Sequence, residues 1–125
     1  MNTYKFNPEE LKSRTKIFAL RSIKLFQSLP KSEDARIIGR QLLRSSTSMA
    51  ANYRARCRAR SKAEFISKMG IVVEEADETL FWIEILSESQ ILPKSRLNSL
   101  YKEGEELLYI MASSRKTAKT NSTIH

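Results

Sequence analysis

At 125 residues, with only three glycines and three prolines, the chain has the length of one domain and too few turn residues for an all-β fold. It contains no apolar run near the ~20 residues that a membrane-spanning helix needs, and its first residues lack the apolar stretch of a signal peptide. A net charge of +8 favours an anionic partner, and a single cysteine, Cys57, which cannot form an internal disulfide, favours the cytoplasm.

The sequence predicts four helices in chain order, which span residues 8–28, 33–59, 62–90 and 94–114. The first begins at Asn7-Pro8, a capping residue followed by the proline that suits a first helical turn, and it ends before Pro30. Ser32-Glu33-Asp34 opens the second helix with acids at the positive end of its dipole. Ser61-Lys62-Ala63-Glu64 is a capping box that opens the third.

Apolar periodicity predicts how these helices pack. Apolar residues recur at steps of three and four along the third helix, and the fourth repeats this seam from Leu97 to Met111. After Ser114 the periodicity stops, so residues 115–125 are predicted to form a disordered tail behind one domain over residues 1–114. Four helices with short connections predict an all-α fold, an antiparallel up-down-up-down four-helix bundle.

The excess positive charge lies in one stretch of the sequence. From Ala35 to Lys68 there are nine basic residues and one acid, Glu64, whereas the rest of the chain has thirteen of each. Residues four apart share a helix face, so the arginines form basic stripes along the second helix. The planar guanidinium of arginine matches phosphate geometry, which favours nucleic-acid binding. The predicted phosphate contacts are Arg36, Arg40, Arg44, Arg54, Arg56, Arg58, Arg60 and Lys62.

An acidic run on the third helix offers a second explanation for these arginines. From Glu74 to Glu88 the sequence has six acids and no base. In a bundle this run can pair with the arginines of the second helix, within one subunit or between subunits. The sequence supports phosphate binding and acid pairing about equally.

The sequence offers little for catalysis. Its single histidine, His125, is the last residue of the predicted tail, and Cys57 lacks a histidine partner that would activate it. It has neither the Cys/His spacing of a zinc site nor a glycine-rich phosphate loop, and the acidic run lacks the histidines of a carboxylate-bridged metal site. We therefore predict a non-enzymatic protein with no catalytic residue, no metal site and no cofactor.

Small and polar residues occupy the second helix from Ser45 to Asn52. Serine and threonine are mediocre helix formers, so tight helix packing is the favoured reason for them here. Asn52 would be costly in a core unless it is hydrogen-bonded, which predicts a buried polar group that sets helix register. A ligand site is the less favoured alternative.

The same region carries a family resemblance. Gln41-Leu42-Leu43-Arg44-Ser45-Ser46-Thr47-Ser48 followed by Ala51-Asn52-Tyr53-Arg54 resembles the signature of the bacterial four-helix bundle proteins named for intervening sequences in 23S ribosomal RNA genes. The match runs from about Phe18 to Leu92. Many members have Glu-Gly where this chain has Ala55-Arg56, which makes this end of the helix more basic. The motif positions of structural interest are Gln41, Ser48 and Asn52.

The resemblance implies a subunit that assembles into a ring-like homopentamer. The chain is also similar to the accessory protein of diversity-generating retroelements, a basic pentameric barrel that binds nucleic acid and a reverse transcriptase. Sequence and resemblance together predict a homo-oligomer that binds RNA or DNA phosphates through the second helix with little sequence specificity, away from membranes. The alternative is an assembly or adaptor protein whose arginines pair with the acidic third helix at subunit contacts.

Overall fold

The structure, a computed structural model, describes residues 7–124, with side chains as far as residue 121. Its four helices are α1 (Pro8–Gln27), α2 (Glu33–Arg56), α3 (Lys62–Glu88) and α4 (Lys94–Ile124). These residues contain no strand, and none of the four helices is long and apolar enough to cross a membrane. The chain is the all-α four-helix bundle that the sequence predicts.

Side-chain caps fix the starts of two helices. The Asn7 side chain accepts a hydrogen bond of 2.8 Å from the backbone N–H of Glu9, and the proline between them is the first residue of α1. At the start of α3, Ser61 Oγ accepts from the N–H of Glu64 at 3.0 Å, while the Glu64 carboxylate accepts from the N–H of Arg60. Each cap satisfies backbone donors that lack partners within the helix, and the capping box at Ser61 is confirmed.

Two helices end earlier than predicted. The structure ends α2 at Arg56 rather than near residue 59, and the next residues form turns that lead directly into the cap of α3. It ends α3 at Glu88 rather than residue 90, because Gln90 adopts a left-handed conformation with φ 64° that helical geometry excludes. Local backbone turns therefore end both helices two or three residues before the predicted ends.

α4 is longer than predicted and continues to Ile124. This corrects the predicted disordered tail over residues 115–125, of which 115–124 are helical; His125 lies outside the described residues. Arg115 holds the extension against α3, since its Nε donates to the carbonyl oxygen of Ile66 at 3.0 Å. Its guanidinium also lies over Gly70, where an added Cβ would sit 3.1 Å from it. A tertiary contact therefore extends a helix that apolar periodicity does not predict.

Contacts between the helices show that neighbours run antiparallel. Arg44 of α2 bonds to Glu78 of α3, and Ser48, one turn further along α2, bonds to Glu75, one turn back along α3. α1 and α4 show the same reversal in the pairs Arg14–Glu103, Arg21–Ser99 and Ser28–Arg96. So do α3 and α4, in the pairs Glu84–Tyr101 and Ile66–Arg115. The helices pack in chain order and α4 closes onto α1, where the contact is smallest.

One apolar core runs along the bundle axis. Burying each large side chain in it contributes about 1.5–3 kcal/mol relative to exposure. Its largest fully buried members include Phe18, Leu42, Met49, Tyr53, Met69, Ile83, Leu107 and Met111. α1 and α2 approach closely at Gly39, where an added Cβ would lie 2.7 Å from Phe26 Cδ1 of α1. The core thus fixes which residues of α2 face outward.

Candidate nucleic-acid interface

The small residues of α2 pack against α3. Ser45 and Ser46 are both fully buried. Ser45 Oγ lies 2.9 Å from Thr79 Oγ1 of α3, which in turn lies 2.7 Å from the carbonyl oxygen of Glu75. The run therefore serves helix packing, as predicted, with a buried hydroxyl pair between the two helices.

The three motif residues form hydrogen bonds along one side of α2. Asn52 Nδ2 donates to the carbonyl oxygen of Ser48 at 2.9 Å and lies 3.2 Å from its hydroxyl, so Asn52 bonds within its own helix. The Ser48 hydroxyl makes the contact with α3, 3.2 Å from Glu75 Oε2. Gln41 Oε1 accepts from Arg44 Nε at 3.4 Å. Ser48, rather than Asn52, is the motif residue that joins the two helices.

Arg44 is the position at which acid pairing occurs within the subunit. Its guanidinium bonds to Glu75, at 3.3 Å, and to Glu78. The bond to Glu78 is the main cause that raises the pKa of Arg44 above its usual value. Glu78 also accepts a hydrogen bond of 3.0 Å from Trp82 Nε1, and this bond together with Arg44 lowers the pKa of Glu78. Among the described arginines of α2, Arg44 alone forms an ion pair, so acid pairing within the subunit accounts for this one position of the predicted set.

Arg56 lies inside the packing at the turn between α2 and α3. Its guanidinium carbon is 5.0 Å from the ring centre of Tyr53 and 4.7 Å from that of Phe65, which are cation–π distances. Its Nε is buried without a hydrogen-bond partner, and Nη1 lies 3.6 Å from Cys57 Sγ. Burial raises the pKa of the neighbouring Tyr53 to about 12. The structure thus uses Arg56 to join two helices, whereas the other predicted contacts lie on the surface.

The remaining predicted contacts are exposed and divide between the two ends of the bundle. Arg36 and Arg40 lie in the first half of α2, the half that also contains Arg44. The other members lie around the last turn of α2 and the first residue of α3: Arg54, Arg58, Arg60 and Lys62. None of these six has an ion pair among the described residues.

The antiparallel order gathers basic residues from all four helices at one end. We call residues 7–16, 49–73 and 110–124 the basic end: it has twelve basic and three acidic residues. Residues 17–48 and 74–109 form the acidic end, with nine basic and eleven acidic residues. The excess charge therefore lies at one end of the bundle rather than along the whole of α2.

Several basic-end residues lie outside the predicted set. The predicted antiparallel bundle already places the start of α1 beside the end of α2, so the basic residues of α1 could have been included in the predicted site. The basic residues of α4 could not, because they lie in the part of α4 that was predicted to be a disordered tail. The added residues are Lys12, Lys16, Lys68, Arg115, Lys116 and Lys119. Arg14 belongs to this end by position, but it pairs with Glu103 and Glu106 of α4 at 2.9 and 2.7 Å.

Two grooves at the basic end are lined by these side chains. The larger, about 650 Å³, lies between α1 and α2 and is lined in part by Lys12, Lys16, Arg54 and Arg58. The smaller, about 380 Å³, lies between α3 and α4 beside Lys116 and Lys119. Over the described residues, no group of three or more His, Cys, Asp or Glu side chains is arranged to hold a metal ion.

Comparison with known proteins places the chain in a family. The family model described as 23S rRNA-intervening sequence protein matches residues 10–113. A crystal structure of a protein with unknown function from the S23 ribosomal protein family of Bacteroides thetaiotaomicron is 30% identical, with a TM-score of 0.81, and the match covers 87% of this chain and 97% of that one. Among curated proteins no significant match is found. The fold, the motif in α2 and the family match agree, and the chain belongs to the 23S rRNA-intervening sequence protein family.

Proposed function

We propose that this chain is a non-enzymatic, homo-oligomeric and pentamer-like bundle protein that binds RNA or DNA phosphates with little sequence specificity. The observation that carries the proposal is the basic end, where twelve basic residues meet three acids. A surface of one charge sign attracts polyanions, and repetition of the surface in an oligomer multiplies the attraction. Exposed guanidinium groups such as those of Arg54 and Arg58 bind phosphates well because their donors match the phosphate oxygens.

The salt dependence of binding tests this proposal. Phosphate contacts release counterions, so about five contacts predict a slope of about −4.5 for the logarithm of affinity against the logarithm of salt on duplex. Titration of a labelled duplex by fluorescence anisotropy at several salt concentrations measures that slope. A flat salt response, or no binding at about 50 mM salt, would contradict the proposal.

A matched pair of variants tests where the phosphates bind. Arg54→Glu/Arg58→Glu reverses two exposed charges at the basic end, and Arg36→Glu/Arg40→Glu reverses two exposed charges of the same helix at the acidic end. We expect the first variant to lose at least about tenfold in affinity at low salt and the second to lose much less. Equal losses would show that the whole of α2 attracts the nucleic acid without regard to the end.

An assembly or adaptor protein is the second candidate. Large apolar side chains are exposed on different helices, including Leu20 on α1 at 53% and Phe81 on α3 at 48%, and such surfaces favour protein contacts. Arg44 pairs with acids of α3 in one subunit, and Glu74 and Asp77 are exposed acids that suit arginines of a neighbour. The similarity to the retroelement accessory protein adds a reverse transcriptase as protein partner.

Mass measurement in solution separates the two candidates. If Arg54→Glu/Arg58→Glu keeps the oligomer and loses nucleic-acid binding, phosphate binding is supported. If the oligomer falls apart instead, these arginines act at subunit contacts and the second candidate is supported.

A further inference from the structure

The groove between the start of α1 and the end of α2 has basic residues on both sides. Lys12 and Lys16 line it from α1, Arg54 lines it from the last turn of α2, and Arg58 lines it from the turn just after α2. We propose that the sugar–phosphate backbone of a nucleic acid binds in this groove. The inference rests on the nucleic-acid binding proposed above and adds a site and two α1 residues to it.

The spacing of the four cations suits a chain of phosphates. Lys12 and Lys16 are four residues apart on α1, which places them ~6 Å apart along the helix and on one face, while Arg54 lies in the last turn of α2 and Arg58 in the turn that follows it. Because α1 and α2 run antiparallel, the two pairs face each other across the groove. A backbone that follows the groove therefore meets basic side chains from both sides.

Small side chains leave room for the backbone to approach. Ser13, Ala50 and Ala51 line the groove between the cations. None of the described residues that line it is aromatic, so these residues offer no surface on which bases can stack. Recognition is then by phosphate and sugar, which explains a preference for nucleic acid without a preference for sequence.

One acid lies in the groove and opposes the binding of phosphate. Glu9 Oε2 is 3.2 Å from Lys12 Nζ, and Glu9 also lines the groove. Lys16, Arg54 and Arg58 have no ion pair among the described residues, so three of the four cations are available at once. Because Glu9 neutralises the fourth, we expect Glu9→Gln to raise the affinity for nucleic acid.

The groove between α3 and α4 is a weaker candidate. Among the described residues that line it, the cations all come from α4: Arg115, Lys116 and Lys119. Arg115 is also engaged, since its Nε donates to the carbonyl oxygen of Ile66. A phosphate chain in this groove would meet charge from one side only.

A pair of substitutions that leaves the charge unchanged tests the proposal by blocking each groove. Ala51→Leu fills the α1–α2 groove, and Ala112→Leu places the same added volume in the α3–α4 groove; both alanines are exposed, so both variants are expected to fold. We expect Ala51→Leu to weaken binding of a short duplex several-fold and Ala112→Leu to leave it unchanged. The opposite result, or equal effects, overturns the groove assignment.

A second pair measures the charge contribution of α1. Lys16→Gln removes a cation from the groove, whereas Lys24→Gln removes an exposed cation about two turns further along the same helix. Lys16→Gln is expected to lower the salt slope on duplex by about 0.9 and the affinity by about tenfold at 50 mM salt, and Lys24→Gln to change neither. On single strands the expected loss of slope is about 0.7.

The outcomes distinguish a misplaced site from a wrong function. If the unmodified protein binds with a steep salt slope but Lys16→Gln and Lys24→Gln behave alike, the groove is overturned and nucleic-acid binding stands. If the unmodified protein binds neither duplex nor single strand at about 50 mM salt, both proposals fall. Vesicles of anionic lipid serve as the third probe, and binding to vesicles without binding to nucleic acid overturns both.

Discussion

The two ends of this bundle contain similar numbers of basic residues and use them differently. At the acidic end, Arg44 is held between Glu75 and Glu78, so its charge is compensated within the subunit. At the basic end, Arg54 and Arg58 have no acidic partner among the described residues. Both sets belong to α2 and the turn that follows it, and what differs is the charge of the helices that pack around each half.

This difference shows that topology decides which charges remain available for a partner. α3 carries its acids in the half that packs beside the start of α2. The antiparallel order also brings Lys16 of α1 and Lys119 of α4 to the end of the bundle at which α2 ends. A net charge summed along the sequence cannot separate these halves.

The largest effect that we expect concerns the packing that supports each end. Tyr53 is 1% exposed at the basic end and its ring stacks with Arg56, whereas Tyr101 at the acidic end is half-buried. Tyr53→Ala should lower the free energy of unfolding by about 3–5 kcal/mol, and Tyr101→Ala by about 1–2 kcal/mol. Urea denaturation followed by circular dichroism measures both.

Tyr53→Phe is the control for this comparison, because it keeps the ring beside Arg56. We expect it to retain most of the stability that Tyr53→Ala loses. Equal losses in Tyr53→Ala and Tyr101→Ala would show that the two ends depend on their tyrosines to the same degree.

Local sequence signals predict where the helices start, whereas the end of α4, which the sequence does not predict, is determined by a tertiary contact. Asn7 and Ser61 cap their helices as predicted, because a cap depends only on residues within one turn. The extension of α4 depends on Arg115 reaching Ile66, which is distant in the sequence. Apolar periodicity does not indicate a polar contact of this kind, so the end of α4 could not be predicted from it.

The candidate site was predictable in part. The arginines of α2 stand out because they are concentrated in one stretch of the sequence that lacks acids, but Arg44 and Arg56 are engaged by groups of α3 that only the packing reveals. Lys12 and Lys16 are inconspicuous because Glu9 and Glu10 balance them along the chain. The antiparallel topology was the available signal for their place beside α2.

A smaller effect is expected from removing the compensated charge of the acidic end. Arg44→Gln loses the ion pairs with Glu75 and Glu78, and should lower the free energy of unfolding by about 0.5–1 kcal/mol, because the pairs are partly exposed. Arg40→Gln, on the same helix and exposed without an ion pair, is the matched control and should change it by less than about 0.5 kcal/mol. Thermal unfolding of both variants measures the difference.

The pH dependence of the stability lost in Arg44→Gln gives a further test of the ion pair with Glu78. The pKa of Glu78 is lowered in the folded protein by its bonds to Trp82 and Arg44. A carboxylate with a lowered pKa stabilises the fold above its unfolded pKa, and this stabilisation is lost as the pH falls through the folded pKa. The cost of Arg44→Gln should therefore shrink in acid. A cost that stays constant as Glu78 becomes protonated would contradict the pairing.

The smallest effect that we expect is on the titration of Tyr53 and Tyr101 at alkaline pH, which again distinguishes the basic end from the acidic end. The pKa of each is raised to about 12, by burial for Tyr53 and chiefly by the hydrogen bond to Glu84 for Tyr101. A raised pKa adds stability that is present below the unfolded value of about 10 and is lost as the pH rises through the folded pKa. Glu84→Gln should return the pKa of Tyr101 toward its ordinary value without moving that of Tyr53. Tyrosinate absorbance then shows one group titrating earlier. If Glu84→Gln lowers the pKa of both tyrosines, then the two pKa values are not raised by separate causes, Glu84 for Tyr101 and burial for Tyr53.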